Sequence, residues 1–378
     1  VLTPPRAPGP RAYAELARWQ WWRRDGGDPV ALATAFLAGH GFAVDPLGTP
    51  ARTAPEVAGA AVLLGAAALP ADLAGLPAAA PTPCPDVPDA VVVVLAVGPA
   101  PPPAAGPARV GEWTATWSRA AHAGAVERVR VAIARGDLYQ ANLVAHRSAP
   151  FAGDPAALSA ALAAVPDTPY AGTLAGDGWS VHSASPESFL TIAGDRATVR
   201  PIKGTAADPD TLAGSAKDRA EHVMIVDLER NDLGRVAVPG SVEVPALYDV
   251  LPRAGVWHAE STVTATLRQG TSLAGVLAAT FPGGSVTGAP KRAALDLIHR
   301  TEPVGRGPSM GAFGWVSPGG DVDLGLTIRT FAVAGGRIHL WTGGGVTWGS
   351  DPAGEVDESE AKAAPLLAAL ATLSANGG

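Results

Sequence analysis

Apolar and polar positions recur along this chain with two periods. Helical spacing bounded by capping residues predicts helices over 13–24, 118–135, 215–234 and 355–373, and another opened by Pro290. Alternating or continuous apolar runs of strand length predict strands over 91–97, 138–146, 179–182, 189–192, 311–316, 324–330, 338–342 and 346–348. Ser215-Ala-Lys-Asp218 forms a capping box at the head of one helix, which Gly234 closes, and Gly136 closes another. Strand pairs fall between helices in irregular order. That order predicts an α+β sandwich rather than a doubly wound parallel sheet.

Residues 1–110 read differently from 111–378. Pro81, Pro83, Pro85 and Pro88, then Pro99 and Pro101 to Pro103, flank the valine strand and predict two long loops. The expected organisation is an N-terminal region, 1–110, packed on the same sandwich, and a catalytic region, 111–378.

With 378 residues, 47% of them apolar and 17% charged, the chain can bury a large core. A net charge of -7 argues against nucleic acid or an anionic membrane as the main partner. The one cysteine, Cys84, excludes an intrachain disulfide and a cysteine metal cage, and fits a cytoplasmic protein. No run reaches the roughly 18 apolar residues of a membrane helix, and the first residues lack the layout of a secretion signal.

Candidate chemistry gathers in two helices and a few loops. Asp218 and Glu221 are three apart and share a helix face that continues as Ile225 and Leu228. Glu355, Glu358 and Lys362 share a stripe with Leu366 on the last helix. Taken singly, each set reads as a first-turn acid pair or a solvated face. Repeated on two helices, it also reads as oxygen ligands for a hard cation such as Mg²⁺, which keeps waters and accepts substrate oxygens. Phe281-Pro-Gly-Gly-Ser-Val-Thr-Gly-Ala-Pro-Lys291 is Gly-rich and runs into a helix head, whose free N–H groups suit an anion. It is not a P-loop, because Ala289-Pro290 stands where Lys-Ser/Thr is required. Thr342-Gly-Gly-Gly345 lets a ligand approach the backbone. Arg329, inside a predicted strand, calls for a carboxylate, either a ligand's or a structural partner's. Glu187, after Ser185-Pro186 and before Phe189-Leu190, predicts a half-buried carboxyl with a raised pKa, as a general acid needs. His258 reads as either structural or catalytic. Lys203, on the tight turn Arg200-Pro-Ile-Lys-Gly-Thr205, is a candidate amine nucleophile.

Together these stretches resemble the chorismate-utilising enzymes, the family of the large subunits of anthranilate, aminodeoxychorismate, isochorismate and salicylate synthases. The matching runs follow in order over roughly residues 120–370. They include Gly136-Asp-Leu-Tyr-Gln-Ala-Asn-Leu143, Ser185-Pro-Glu-Ser-Phe189, Pro201-Ile-Lys-Gly-Thr205, residues 217–235, 281–291 and 343–362, and Arg329. The resemblance implies a layered α/β/β/α sandwich of large, mostly antiparallel sheets with the site in the central cleft. It implies Mg²⁺ on Glu221 and Glu358, supported through water by Asp218 and Glu355, and holding the ring carboxylate of chorismate. It places the enolpyruvyl carboxylate on Arg329 and the backbone at Gly345, with Ser285, Gly288 and Lys362 completing the anion cradle. Glu187 would be the general acid at the C4 hydroxyl, and His258 would sit beside the ring.

Two positions divide the family's reactions. Water-adding members resemble this chain but carry a lysine base at the position of Gln140, and glutamine cannot deprotonate water. Anthranilate synthases typically read Pro-Ile-Ala-Gly-Thr where this chain, like aminodeoxychorismate synthases, reads Pro-Ile-Lys-Gly-Thr. The resemblance therefore implies amination of chorismate at C4, giving 4-amino-4-deoxychorismate, the precursor of 4-aminobenzoate for folate. Amination at C2, as in anthranilate synthase, is the alternative, and a non-catalytic metal-dependent binding module is the reading outside the family. Cys84, between Pro83 and Pro85, is not on a glutaminase elbow, so ammonia is expected as free ammonium or from a separate glutamine amidotransferase. Ser309 stands where relatives usually have an aromatic residue.

Overall fold

A computed structural model of the chain describes residues 3–8, 12–98, 105–253 and 256–375. The prolines at 99 and 101–103 of the second expected loop lie outside them. Two large sheets face each other, and every ladder between the described strands is antiparallel. Among the described residues the larger sheet has ten strands. Its order is Tyr13–Trp21, Ala90–Val97, Val57–Leu64, Ala312–Val316, Val322–Leu326, Ser188–Ala193, Arg196–Val199, Val256–Thr266 and Ile202–Ala206, with Glu243–Arg253 also pairing with Val256–Thr266. The second sheet runs Gly288–Ala289, Gln140–Gly153, Arg337–Val346, Thr330–Ala334, Trp179–Ser185 and Tyr170–Gly176.

Side-chain alternation builds the layers. On Thr330–Ala334, Ala332 and Ala334 enter the core shared with Phe189, Leu324 and Phe313 of the larger sheet, while Phe331 and Val333 face the opposite way. There they pack with Leu366 and Leu370 of the helix Pro352–Ala375 and Leu158 of Ala156–Leu162. The helices Pro29–Gly39 and Leu273–Thr280 bury Val30, Leu37, Val276 and Leu277 in the cluster that includes the larger sheet. The α+β sandwich follows from these faces. No helix among the described residues is long and apolar enough to cross a membrane.

The expected helix over 13–24 is instead the edge strand Tyr13–Trp21, followed by a short 3-10 turn. Its good helix formers yield to the ladder with Ala90–Val97, whose valines are buried almost throughout. Trp21 enters the core and donates its indole N–H to the Gly26 carbonyl. The apolar run 324–330 is not one strand. Val322–Leu326 belongs to the larger sheet and Thr330–Ala334 to the second, so Thr327 to Arg329 is the crossover between them. The runs 338–342 and 346–348 join as Arg337–Val346, leaving Trp348 exposed beyond its end. Pro290 is the N-cap of Lys291–Thr301, one residue before the helical position expected.

Candidate active site

All of the candidate catalytic, substrate-binding and metal residues except Gln140 and Gly288 line one cavity of about 490 Å³. Lys203, Glu187, His258, Ser285, Arg329, Gly345, Lys362, Asp218, Glu221, Glu355 and Glu358 are on its wall. Ile202–Ala206 pairs with Val256–Thr266, but the register slips between Ile202 and Thr205, and Gly204 takes a left-handed φ of 84°. The irregularity lets three consecutive residues, Ile202, Lys203 and Gly204, reach the cavity where a regular strand would present alternate ones.

Ser285 joins the two groups expected to do chemistry. Its carbonyl accepts from Lys203 Nζ at 3.4 Å, and its hydroxyl donates to Glu187 Oε1 at 2.9 Å. Burial lowers the pKa of Lys203, against the pull of Glu187 and Glu221. Burial raises that of Glu187, against Lys203 and the Ser285 hydrogen bond. Desolvation thus favours the neutral form of both, an amine and a carboxylic acid.

The last helix, Pro352–Ala375, brings its acidic stripe over Gly344. A Cβ there would lie 3.2 Å from Glu355 Oε2, 3.3 Å from Glu358 Oε1 and 3.5 Å from Lys362 Nζ, so only glycine leaves these ends their space. Lys362 already stands on Glu358 at 2.6 Å, a cation held by one of the carboxylates. Asp218 and Glu221, on Ala216–Gly234, supply the other carboxylates of the wall. No three acidic or histidine side chains among the described residues form a ready metal cage. The donor set still fits Mg²⁺, whose remaining positions go to water and substrate oxygens.

Arg329 sits at the turn of the crossover with φ 48°, a strained conformation for a residue with a side chain. Its guanidinium makes no hydrogen bond among the described residues and lines the cavity, where an anion would pair with it. His258 is buried, with Nε2 3.8 Å from Asp167 Oδ2.

Gln140 and Gly288 stand behind the wall. Gln140 is fully buried, and neither atom of its amide has a hydrogen-bond partner among the described residues. A Cβ on Gly345 would come within 2.2 Å of its Nε2, so the glycine separates this amide from the cavity. Gly288, φ 140°, lets the loop cross the Gln140 carbonyl, which a Cβ would meet at 2.1 Å. The head of Lys291–Thr301 does not open on the cavity; the loop contributes Ser285 and Val286 instead. Ser309 is buried and donates to the Thr327 carbonyl, and its neighbour Met310 lines the site.

Several contributors escaped the sequence reading. Arg306 and Glu302 form a buried pair at 2.7 Å. Arg306 donates to the carbonyls of Asn142 and Val286, and Glu302 accepts the Val144 N–H, so the pair anchors the cavity floor. Their i,i+4 spacing reads as an exposed helix pair, and only burial distinguishes them. Asp232 pairs with Lys291 at 2.6 Å beside Glu229, whose pKa is raised by burial and by Asp232. Cys84 is buried, its thiol pushed up to about 12 by desolvation, as suits a structural rather than a nucleophilic cysteine.

The family described as chorismate binding enzyme matches residues 80–368. Aminodeoxychorismate synthase component 1 of Klebsiella aerogenes is 40% identical over 265 residues, which cover 68% of this chain and 59% of that protein. Anthranilate synthase component 1 of Thermus thermophilus is also 40% identical, over 266 residues covering 68% and 58%. The matched region thus spans less than two thirds of either relative. The crystal structure of anthranilate synthase component I from Streptococcus pneumoniae TIGR4 superposes with a TM-score of 0.77 at 23% identity, covering 95% of this chain and 92% of that one. That likeness bears on the fold.

Proposed function

This chain belongs to the family of chorismate binding enzymes, and from that premise we propose that it aminates chorismate at C4 to give 4-amino-4-deoxychorismate. Relatives named for C4 and for C2 amination stand at the same identity, so the reading rests on a residue rather than a name. That residue is Lys203, an amine with a lowered pKa bound through Ser285 to the protonatable Glu187.

The neutral amine of Lys203 attacks C2, the ring double bonds shift, and the C4–O bond breaks. The hydroxyl leaves as water with the proton of Glu187. Ammonia then forms the C4–N bond, the double bonds shift back, and the C2–N bond breaks to release Lys203 as a free amine. One proton of the new C4 ammonium returns to Glu187. Arg329 and the Gly345 backbone take the enolpyruvyl carboxylate, Lys362 adds a positive charge, and His258 packs beside the ring. Glu221 and Glu358 would hold Mg²⁺, with Asp218 and Glu355 in support; the ion, when bound, supplies the charge that fixes the ring carboxylate. Ammonia comes from free ammonium or from a separate glutamine amidotransferase subunit, since Cys84 is inert and buried.

The test is incubation with chorismate, ammonium and Mg²⁺, followed by aminodeoxychorismate lyase. The expected result is chorismate loss with release of 4-aminobenzoate, abolished or diverted to anthranilate in Lys203→Ala. Full C4 amination by that variant rules out the covalent route. Anthranilate from the unaltered protein would favour C2 amination.

A further inference from the structure

His222 is adjacent to Glu221, is wholly buried, and is absent from the cavity wall. Its Nε2 lies 2.8 Å from the backbone carbonyl of Lys203. A carbonyl only accepts, so Nε2 carries the proton. In the neutral ring that leaves Nδ1 as the acceptor for the Ser261 hydroxyl, 2.9 Å away. Ser261 Oγ accepts the Tyr248 backbone N–H at 3.0 Å, and the Ser261 N–H donates to the Pro201 carbonyl at 3.1 Å. The ring of Tyr248 packs edge-on against that of His222 at 4.8 Å.

Both backbone groups held in this way belong to breaks in the sheet. The register slips between Ile202 and Thr205 around Lys203, and again between Ala246 and Asp249, where Tyr248 takes φ 61°. A bulge removes backbone groups from the ladder, and when buried they need partners elsewhere. The side chains of His222 and Ser261 are those partners. The contact to Lys203 therefore comes from outside the ladder, from the helix that carries Asp218 and Glu221.

Building on the function proposed above, we propose that His222 is the positioning residue for Lys203. By holding the Lys203 carbonyl at the bulge, it fixes the line on which the amine meets the substrate in the cavity. The imidazole does not touch substrate and exchanges no proton with it.

His222→Leu removes both hydrogen bonds, whereas His222→Gln keeps an N–H donor the same number of bonds from Cα as Nε2. With saturating ammonium, His222→Leu is expected to lose roughly a hundredfold in kcat, the effect of a misplacement of about 1 Å. Its KM for chorismate should stay within about twofold of the unaltered protein, because every cavity-wall side chain is retained. His222→Gln should recover most of kcat. Independently of activity, backbone amide exchange over 202–206 should accelerate in His222→Leu and remain slow in His222→Gln. Should His222→Leu fail to fold, Ser261→Ala takes its place, with a smaller loss confined to kcat. An unchanged kcat, or a KM rise matching the kcat loss with glutamine no better than leucine, overturns the proposal. Failure of the unaltered protein to aminate chorismate would instead overturn the function, and the exchange measurement would still judge the role of His222.

Discussion

Lys203 and Glu187 are displaced in opposite directions by the same cause. Burial penalises charge, so the amine loses its proton more readily and the carboxylic acid keeps its own longer. Activity should rise with pH as Lys203 becomes neutral and fall as Glu187 ionises, giving a bell-shaped kcat/KM profile. Glu187→Gln imitates the protonated acid, retaining its shape while removing proton transfer. It should lower kcat by roughly 10² or more and abolish the limb belonging to Glu187. The same shift has a sign for stability. An acid whose folded pKa is raised stabilises the fold below its unfolded pKa, and that contribution is lost as pH rises through the folded pKa. Thermal unfolding at alkaline pH should therefore show Glu187→Gln more stable than the unaltered protein, with no such gain in acid. The Ser-Pro and Phe-Leu flanks of Glu187 predicted a half-buried acid, and the fold buries it further than that. His222 was not legible, because nothing in sequence announces that the Lys203 carbonyl lacks a ladder partner.

At the scale of elements, the glycine run of Arg337–Val346 does three separate jobs. A Cβ on Gly343 would lie 1.8 Å from the Leu143 carbonyl oxygen across the ladder. On Gly344 the nearest atoms would be the ends of Glu355, Glu358 and Lys362, and on Gly345 the buried amide of Gln140. Gly343→Ala should therefore cost about 3 kcal/mol or more, since backbone cannot retreat, and lower Tm accordingly. Gly344→Ala should leave Tm nearly unchanged, because flexible side chains give way, while weakening Mg²⁺ dependence of activity and chorismate binding. Equal loss of stability in the two variants would contradict this division. The crossover at Arg329 makes the complementary point. Its apolar neighbours, Ile328 and Leu326, read as one strand, yet the chain changes sheets there and turns through a strained residue. The turn puts a guanidinium at the seam between sheets, where a continuous strand would have buried or exposed it.

For the whole molecule, the acidic helices lie more than a hundred residues apart in sequence and meet only because both sheets close around one cavity. Asp218, Glu221, Glu355 and Glu358 on that wall should make the fold respond to a divalent cation. Mg²⁺ at about a hundredfold excess over its Kd should stabilise the protein by about 2.7 kcal/mol, seen as a rise in Tm. Glu221→Gln with Glu358→Gln should remove that rise, and a rise that survives would place the ion elsewhere. Local patterning determined the helices over 118–135, 215–234 and 355–373 and the one after Pro290, the strand character of the valine run, the acid pairs and the lysine turn, because capping, periodicity and turn chemistry act over a few residues; the helices Pro29–Gly39, Ala156–Leu162, Pro209–Ala213 and Leu273–Thr280 went unread. The same patterning failed over 13–24, where a distant valine strand needed a ladder partner. Only the tertiary structure decided which charges are buried, that Ser285 links Lys203 to Glu187, that Gln140 lies behind Gly345, and that Glu302 and Arg306 support the floor. Those outcomes depend on desolvation and on contacts between residues far apart in the chain, and no short window of sequence contains either.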